Sequence, residues 1–220
     1  MASDTVPLGR RQRRRLETIE EVLDHAVQIM AEDGVAGLSL GEIARRMGIR
    51  PPSLYVYFPS KNALYDALFA RGWRLLLERM RARDLERPPV GDDLGAIMLD
   101  AAGEFVRWSV ENFAYAQLLF WRPVPRYRPG EAAYGPAVEL YQWGLERLGR
   151  LQQRGLIRTE VDVEAAHRDW TVLVSGVISQ QLSNAPGEPF ESGRFTTALP
   201  GLAAMFATYY GTPARVRRSS

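Results

Sequence analysis

The chain has 220 residues, of which 46% are hydrophobic, and a formal net charge of +2, which together indicate one large folded domain or two small ones. No apolar run reaches the ~18 residues of a membrane span and the N-terminus is polar, so we expect a cytoplasmic protein without membrane contact. The absence of cysteine excludes disulfides, thiolate chemistry and cysteine-ligated zinc.

Basic residues are concentrated at the two ends of the chain. Residues 1–15 hold five arginines and one aspartate, and residues 214–220 hold three arginines. We therefore predict a flexible basic arm over residues 1–15 and a basic tail over residues 212–220. Such segments attract phosphate without reading sequence, although a solvated terminus that has no partner shows the same composition.

The first two helices are predicted from periodicity and helix-end signals. Residues 16–33 place apolar side chains at helical spacing, and Gly34 supplies a stop. Ser39 and Glu42 have the spacing of a capping box, in which each side chain bonds a backbone N–H at the start of a helix. A second, short helix therefore begins at Ser39, and Gly48 ends it.

A third helix begins at the double proline Pro51-Pro52, because proline lacks the backbone donor that the first turn of a helix leaves unpaired. Leu54 and Phe58 are four residues apart and are predicted to face the core. This places a polar and aromatic set at least partly outward, namely Ser53, Tyr55, Val56 and Tyr57.

The rest of the chain is also predicted to be helical. Ser60 caps a fourth helix that continues to about Arg83, and the segment 87–93 breaks the chain after it. Further helices are expected near residues 93–111, 113–121, 131–154, 162–183 and 194–210. No alternating strand pattern occurs in the sequence, so the fold class is all-α.

Two short helices joined by a three-residue turn with glycine have the proportions of a helix-turn-helix, whose second helix enters the DNA major groove. An inert corner of a helical bundle has the same proportions. Three adjacent outward residues, Tyr55, Val56 and Tyr57, favour an interface over a corner.

The stretch LSLGEIARRMGIRPPSLYVYFPSKNALYDAL resembles the TetR family of bacterial transcriptional regulators over about residues 16–68. The similarity lies in a small polar residue, Ile-Ala, Gly, Leu-Tyr, Phe and Lys at the family's spacing. It implies an N-terminal three-helix DNA-binding domain at 16–62 and a C-terminal helical ligand-binding and dimerisation domain at 63–211. It also implies a homodimer that binds double-stranded DNA at a palindromic operator and is released by a small molecule.

By the same resemblance, two sets of residues are expected to meet DNA. The set that contacts phosphate and orients the domain is Ser39, Tyr55, Tyr57 and Lys61. The set that reads bases is Leu40, Gly41, Arg50, Pro51, Ser53 and Val56. Gly41 and Pro51 depart from the family pattern because neither offers a side-chain hydrogen bond, so we expect few bidentate base contacts and a larger contribution from DNA shape.

Aromatic residues are dense between positions 105 and 170, where most helical aromatics are expected to belong to the core. Several are nevertheless candidates for the lining of an apolar pocket, which would suit a small apolar or aromatic effector: Trp108, Phe113, Phe120, Trp121, Tyr141 and Trp170. The helices at 162–183 and 194–210 resemble the family's dimer-forming pair, with burial against their own body as the competing interpretation.

An enzyme is not indicated. His25 and His167 are the only histidines, each within a predicted helix, and the sequence has no phosphate-binding glycine loop, nucleophile elbow or zinc spacing. We therefore predict no catalytic residue, no metal and no cofactor. The alternative function is a dimeric binding protein for small apolar ligands, in which the helix-turn-helix is only structural.

Overall fold

The computed structural model describes residues 9–89 and 91–213, which form nine α-helices, a short 3-10 helix at Thr196–Ala198 and no β-strand. The all-α prediction is confirmed. None of these helices is long and apolar enough to cross a membrane. The helices are α1 (Arg10–Gly37), α2 (Leu40–Arg46), α3 (Pro51–Leu54), α4 (Lys61–Glu86), α5 (Leu94–Glu111), α6 (Phe113–Phe120), α7 (Glu131–Gln153), α8 (Val163–Asn184) and α9 (Leu199–Tyr210).

The start of α1 differs from the prediction. Residues 10–15 were expected to belong to a flexible arm, but the helix begins at Arg10 and includes all five arginines of that segment. Arginine is a good helix former, and a helix that is already anchored downstream by buried side chains extends easily through such residues. The rest of the predicted arm, and residues 214–220 of the predicted tail, lie outside the described residues.

The predicted stop at Gly34 is present as a break in α1. Gly34 has a φ of 73°, outside the helical region, and one further turn reaches Gly37. Ser39 precedes α2 as expected, but its side chain makes no capping hydrogen bond. The capping-box prediction is therefore wrong, because Glu42 instead accepts hydrogen bonds from Arg45 at 2.7 Å and Arg46 at 2.9 Å. Charged donors one turn away outcompete a backbone N–H for this carboxylate.

The turn between α2 and α3 depends on Gly48, whose φ of 66° is a left-handed conformation that glycine adopts without strain. The chain then enters α3 at Pro51, and the amides of Tyr57 and Phe58 both donate to the Leu54 carbonyl at 2.9 Å. Leu54 and Phe58 are buried, as the sequence predicted. Their burial fixes which side of α3 faces outward.

Helix α4 joins the N-terminal helices to the body. The Ser60 side chain caps it by accepting from the Ala63 amide at 3.1 Å, as predicted. Its apolar side chains, from Leu64 to Met80, belong to one buried cluster that also includes residues of α1, α2, α6 and α7. A second cluster is formed by α5, α8 and α9. The predicted domain boundary at 62/63 thus falls at the start of α4, and it stays a prediction.

Close packing of α4 on α6 requires a glycine. A Cβ atom at Gly72 would lie 2.7 Å from Tyr115 Cδ1 and 3.2 Å from both methyl groups of Leu119. Tyr115 is buried and has little room to move. Gly72 therefore sets the distance between these helices.

We expect Gly72→Ala to lower the free energy of unfolding by about 1 kcal/mol, because overpacking of roughly 1–3 kcal/mol outweighs the higher helix propensity of alanine. Urea denaturation measures this change. Gly149→Ala in α7 is the matched control, since a Cβ there meets nothing within 4 Å, and it should stabilise the protein by about 0.5–1 kcal/mol. Equal effects of the two substitutions would contradict the packing argument.

Candidate functional site

The outer side of α3, the residue before it and the turn after it form an exposed surface. Tyr55 is 54% exposed and Val56 is 68% exposed, although both side chains have large apolar parts. Three further residues of this surface are exposed: Arg50, Pro51 and Ser53. We call these five residues the α3 surface. Ser39 and Gly41, at the start of α2, are exposed as well.

Leu40 does not belong to this exposed set. It is 8% exposed and packs in the same buried cluster as Ile43 and Ala44. As the first residue of α2 it turns its apolar side chain into the core, where it gains more from burial than from solvent contact. The expectation that Leu40 touches a base is therefore wrong for this conformation.

Tyr57 is half-buried and is held by α1. The Arg15 guanidinium carbon lies 5.1 Å from the centre of the Tyr57 ring, and Arg15 Nη2 donates to the Val56 carbonyl at 3.5 Å. The N-terminal part of α1 thus supports the end of the α3 segment. Sequence reasoning missed Arg15 because it placed this residue in a flexible arm.

Lys61 lies at the junction of α1 and α4. Its Nζ is 3.4 Å from the Ala36 carbonyl and 5.5 Å from the centre of the Tyr65 ring. Tyr65 in turn donates to the Val35 carbonyl at 3.0 Å, and burial raises the pKa of its hydroxyl. An exposed cation is therefore fixed beside the N-terminus of α4, where the backbone N–H groups also favour an anion.

The arginines of α2 are already paired with acids. Hydrogen bonds from Arg45, and then from Arg46, lower the pKa of Glu42 to about 2, and Arg46 also contacts Glu32 at 2.6 Å. Within residues 9–89 and 91–213, no carboxylate pairs with Arg50 or Lys61. These two side chains and Arg15, which contacts the Val56 carbonyl, provide positive charge near the α3 surface.

The body contains a cavity of about 260 Å³ between α4, α5, α7 and α8. Its wall is mostly apolar, with the thioethers of Met80 and Met98 and a group of aromatic side chains. The aromatic lining consists of Trp73, Phe105, Tyr141, Trp143 and Trp170. This volume lies just below the roughly 300–1,000 Å³ of typical ligand pockets, so the cavity suits a small ligand.

Only two of the six predicted pocket residues, Tyr141 and Trp170, line this cavity. The other four pack elsewhere, which corrects the prediction. The Trp108 ring lies in the core, with its centre 6.2 Å from the centre of the Tyr115 ring. The Phe120 ring packs against the rings of Trp73 and Phe105. Phe113 and Trp121 pack against the second cluster. Contacts with the facing helices decide which aromatic side chains line the cavity. The spacing of residues along one helix does not reveal these contacts.

Two polar side chains in the cavity wall were not predicted. Arg147 is 3% exposed and donates from Nε to Asp84 at 3.2 Å, and burial lowers the pKa of its guanidinium. The centre of the His167 ring lies 4.8 Å from the centre of the Tyr141 ring. Burial lowers the pKa of the His167 imidazole. Gly144 makes room for the imidazole, because a Cβ there would lie 2.4 Å from His167 Nε2. Only the folded chain brings these residues together.

A sequence profile described as "Bacterial regulatory proteins, tetR family" matches residues 22–68, which span most of α1, all of α2 and α3, and the first turns of α4. This segment of the chain is therefore similar to the TetR family of bacterial regulatory proteins. The matched segment includes the whole α3 surface and Lys61, and it ends before the cavity residues of the body.

The chain is also similar to individual proteins named as HTH-type transcriptional regulators. The chain is 34% identical over 98 residues to the uncharacterized HTH-type transcriptional regulator YobS of Bacillus subtilis, covering 44% of this chain and 49% of that protein. It is 29% identical over 138 residues to the HTH-type transcriptional regulator Mb1846 of Mycobacterium bovis, covering 62% and 58%. The chain thus spans about half the length of the curated relatives it matches. These relatives are regulators, not enzymes.

Similarity to solved structures extends over the body. A protein of unknown function from Rhodococcus sp. RHA1 superposes with a TM-score of 0.73, covering 96% of this chain and 100% of that chain, at 16% identity. At this identity the similarity shows the fold alone. The body chemistry must therefore be derived from its own side chains.

The buried imidazole gives a pH-dependent prediction. Because burial lowers the pKa of His167 in the folded protein, the unfolded chain binds a proton more readily. The contribution of the neutral imidazole to the free energy of unfolding is therefore fully present above the ordinary histidine pKa of about 6.5. This contribution is lost as the pH falls from there through the folded-state pKa. His167→Gln should reduce the loss of Tm between pH 7 and pH 5. Parallel Tm profiles for the two proteins would show that this imidazole does not contribute.

Proposed function

We propose that this protein is a dimeric, ligand-responsive regulator that binds a specific palindromic DNA sequence in the cytoplasm and is released from it by a small molecule. The similarity to the TetR family supports DNA binding and regulation. The observation that carries the proposal is the exposure of Tyr55 and Val56 in the turn directly after α3, between Leu54 and Phe58, which are anchored in the core. A surface that presents such residues beside unpaired cations fits a DNA groove.

The α3 surface supports recognition of DNA bases through few side-chain hydrogen bonds. A Cβ at Gly41 would meet only Ser39 Oγ, at 3.6 Å, so the position is open but carries no donor or acceptor. Arg50 and Ser53 then supply the side-chain hydrogen bonds to bases, and Val56 reaches a thymine methyl. Ser39, Tyr55, Tyr57 and Lys61 act on the phosphate backbone, which fixes the register.

Selection from a random duplex library at ~150 mM salt tests the regulator function, because unspecific phosphate attraction is weak there. We expect a palindrome whose half-sites lie about one helical turn apart. Tyr55→Ala combined with Lys61→Ala should abolish the enrichment and reduce the salt slope of binding by about one for the lost lysine contact.

Arg74→Ala is the control for this experiment. Arg74 is an exposed cation of α4 that lies 13 residues, or about 20 Å, beyond Lys61. The Arg74→Ala variant should leave the selected DNA sequence and the affinity for it unchanged. If the wild-type protein enriches no sequence, the alternative of an apolar-ligand binding protein with a structural helix-turn-helix takes the place of the regulator.

The dimer is proposed to form through α8 and α9. Three large apolar side chains on these helices are more than 60% exposed: Val172, Met205 and Tyr209. Such a group on a single subunit is typical of a surface that another protein covers. Family resemblance supports a second copy of this chain as that protein.

Val172→Glu should therefore convert the dimer to a monomer, because it places a charge in the apolar contact. Light scattering at micromolar concentration measures the mass. Val138→Glu is the matched control, since Val138 is 54% exposed on α7, a helix outside the proposed interface, and this variant should remain dimeric. A wild-type monomer, or dissociation by both variants, would refute the proposed interface.

Helix α4 supports communication between the cavity and the DNA-binding end. Lys61 is its first residue, and Trp73 and Met80 of the same helix line the cavity. A ligand that displaces Trp73 therefore acts on a rigid element that ends, about 18 Å away, at a proposed phosphate contact. In the dimer, such a shift changes the distance between the two α3 surfaces and so releases DNA.

A further inference from the structure

The cavity wall has a definite charge preference. Among the described residues that line it, Arg147 is the one charged side chain, and no aspartate or glutamate takes part. A cationic ligand would thus be desolvated beside a buried guanidinium and without a counter-charge. Aromatic walls attract cations, but this attraction is small compared with the burial of an unpaired charge.

Arg147 still has hydrogen-bonding capacity to offer. A guanidinium carries five N–H donors in a planar fork, and within the described residues Asp84 accepts from one of them, Nε. The other polar contact of Arg147 is with the face of Trp143, whose ring centre lies 5.9 Å from the guanidinium carbon. A charged side chain that is 97% buried and only partly paired is poised to bind an acceptor.

We propose that the effector is a small aromatic acid whose carboxylate binds the free N–H groups of Arg147. This proposal rests on the proposed function, and it names the ligand class for the same site. The ring lies among the tryptophans of the wall, where face and edge contacts favour a flat aromatic body. A carboxylate matches the fork of a guanidinium better than a neutral group does, because two parallel charge-assisted hydrogen bonds form.

The volume of the cavity narrows the class of effector further. The cavity of about 260 Å³ lies below the usual range for drug-sized ligands, so one or two fused rings fill it. The imidazole of His167 adds a polar edge without a charge at neutral pH, because burial disfavours its protonated form. Among the described residues, the wall therefore combines one cation, one neutral imidazole, the hydroxyl residues Thr171 and Ser175, and a remainder of aromatic and aliphatic side chains.

Three probes of one shape and different charge test the proposal: 2-naphthoate, 2-naphthamide and 2-naphthylmethylamine. Isothermal titration calorimetry with the full chain at pH 7.5 gives their dissociation constants. We expect naphthoate to bind at least about tenfold more tightly than the amide, as hydrogen bonds to a charged partner require, and the amine to bind most weakly. Tighter binding of the amide or the amine, or no binding of any probe at millimolar concentration, would overturn the assignment.

The deciding variant is Arg147→Gln combined with Asp84→Asn, which removes both charges so that neither is left buried alone. The preference for the acid should disappear, while naphthamide binding stays within about twofold. Arg150→Gln is the matched control on the same helix, because its side chain is 55% exposed and does not line the cavity, and it should keep the preference. A preference that persists in the double variant would rule out Arg147 as the anion partner.

Circular dichroism establishes whether the double variant is folded. If it is not, Arg147→Lys replaces it, since lysine keeps the charge but loses the planar fork, and naphthoate should then bind about tenfold more weakly yet still ahead of the amide. An unchanged affinity for naphthoate in Arg147→Lys would contradict the bidentate contact.

The two proposals fail separately. Calorimetry uses no DNA, and the duplex selection uses no ligand. If a palindrome is enriched but naphthoate is not preferred, the effector class is wrong and the regulator stands. If naphthoate is preferred but no sequence is enriched, the cavity assignment stands and the regulator function does not.

Discussion

The continuity of α4 is the constraint on which the rest of the structure depends. This helix has 26 residues and extends about 39 Å. Leu64 and Leu68 pack near one end and Leu77 and Met80 near the other, all within one buried cluster. The N-terminal helices and the body therefore share a core instead of meeting through a linker. A change at either end is transmitted through a hydrogen-bonded backbone that bends little.

Buried charges lie where α4 meets the body, next to the cavity. Asp84 of α4 pairs with the buried Arg147 of α7, and the buried Arg83 of α4 pairs with Asp100 of α5, whose side chain is 40% exposed. A buried pair such as Arg147–Asp84 adds little net stability, but breaking it leaves an uncompensated charge, so it fixes the register of α4 against α7. The same arginine that faces the cavity thus also holds α4. A carboxylate at the free N–H groups of Arg147, as proposed, would therefore act on a side chain that also contacts the helix that leads to Lys61.

Helix ends were predictable where a single local interaction decides them. The sequence located the break at Gly34, the end of the second helix at Gly48 and the cap at Ser60. Each depends on one residue and its immediate neighbours in the chain. The predicted cap at Ser39 failed because its partner, Glu42, had stronger charged partners available. Competition of that kind is not visible in a capping motif alone.

By itself the sequence determined the all-α fold, the helix-turn-helix and the outward side of α3, because periodicity, proline and glycine act locally along the chain. Only the tertiary structure decided which aromatics line the cavity, why Leu40 is buried, and that Arg15 supports Tyr57. These depend on contacts between residues far apart in the sequence. Residues of four helices form the cavity wall. Among the described residues of this wall, Arg147 is the one cation, and it is buried there only because α7 packs against α4. Composition along one helix cannot encode that choice, since the same side chain would be solvated if the neighbouring helix were absent.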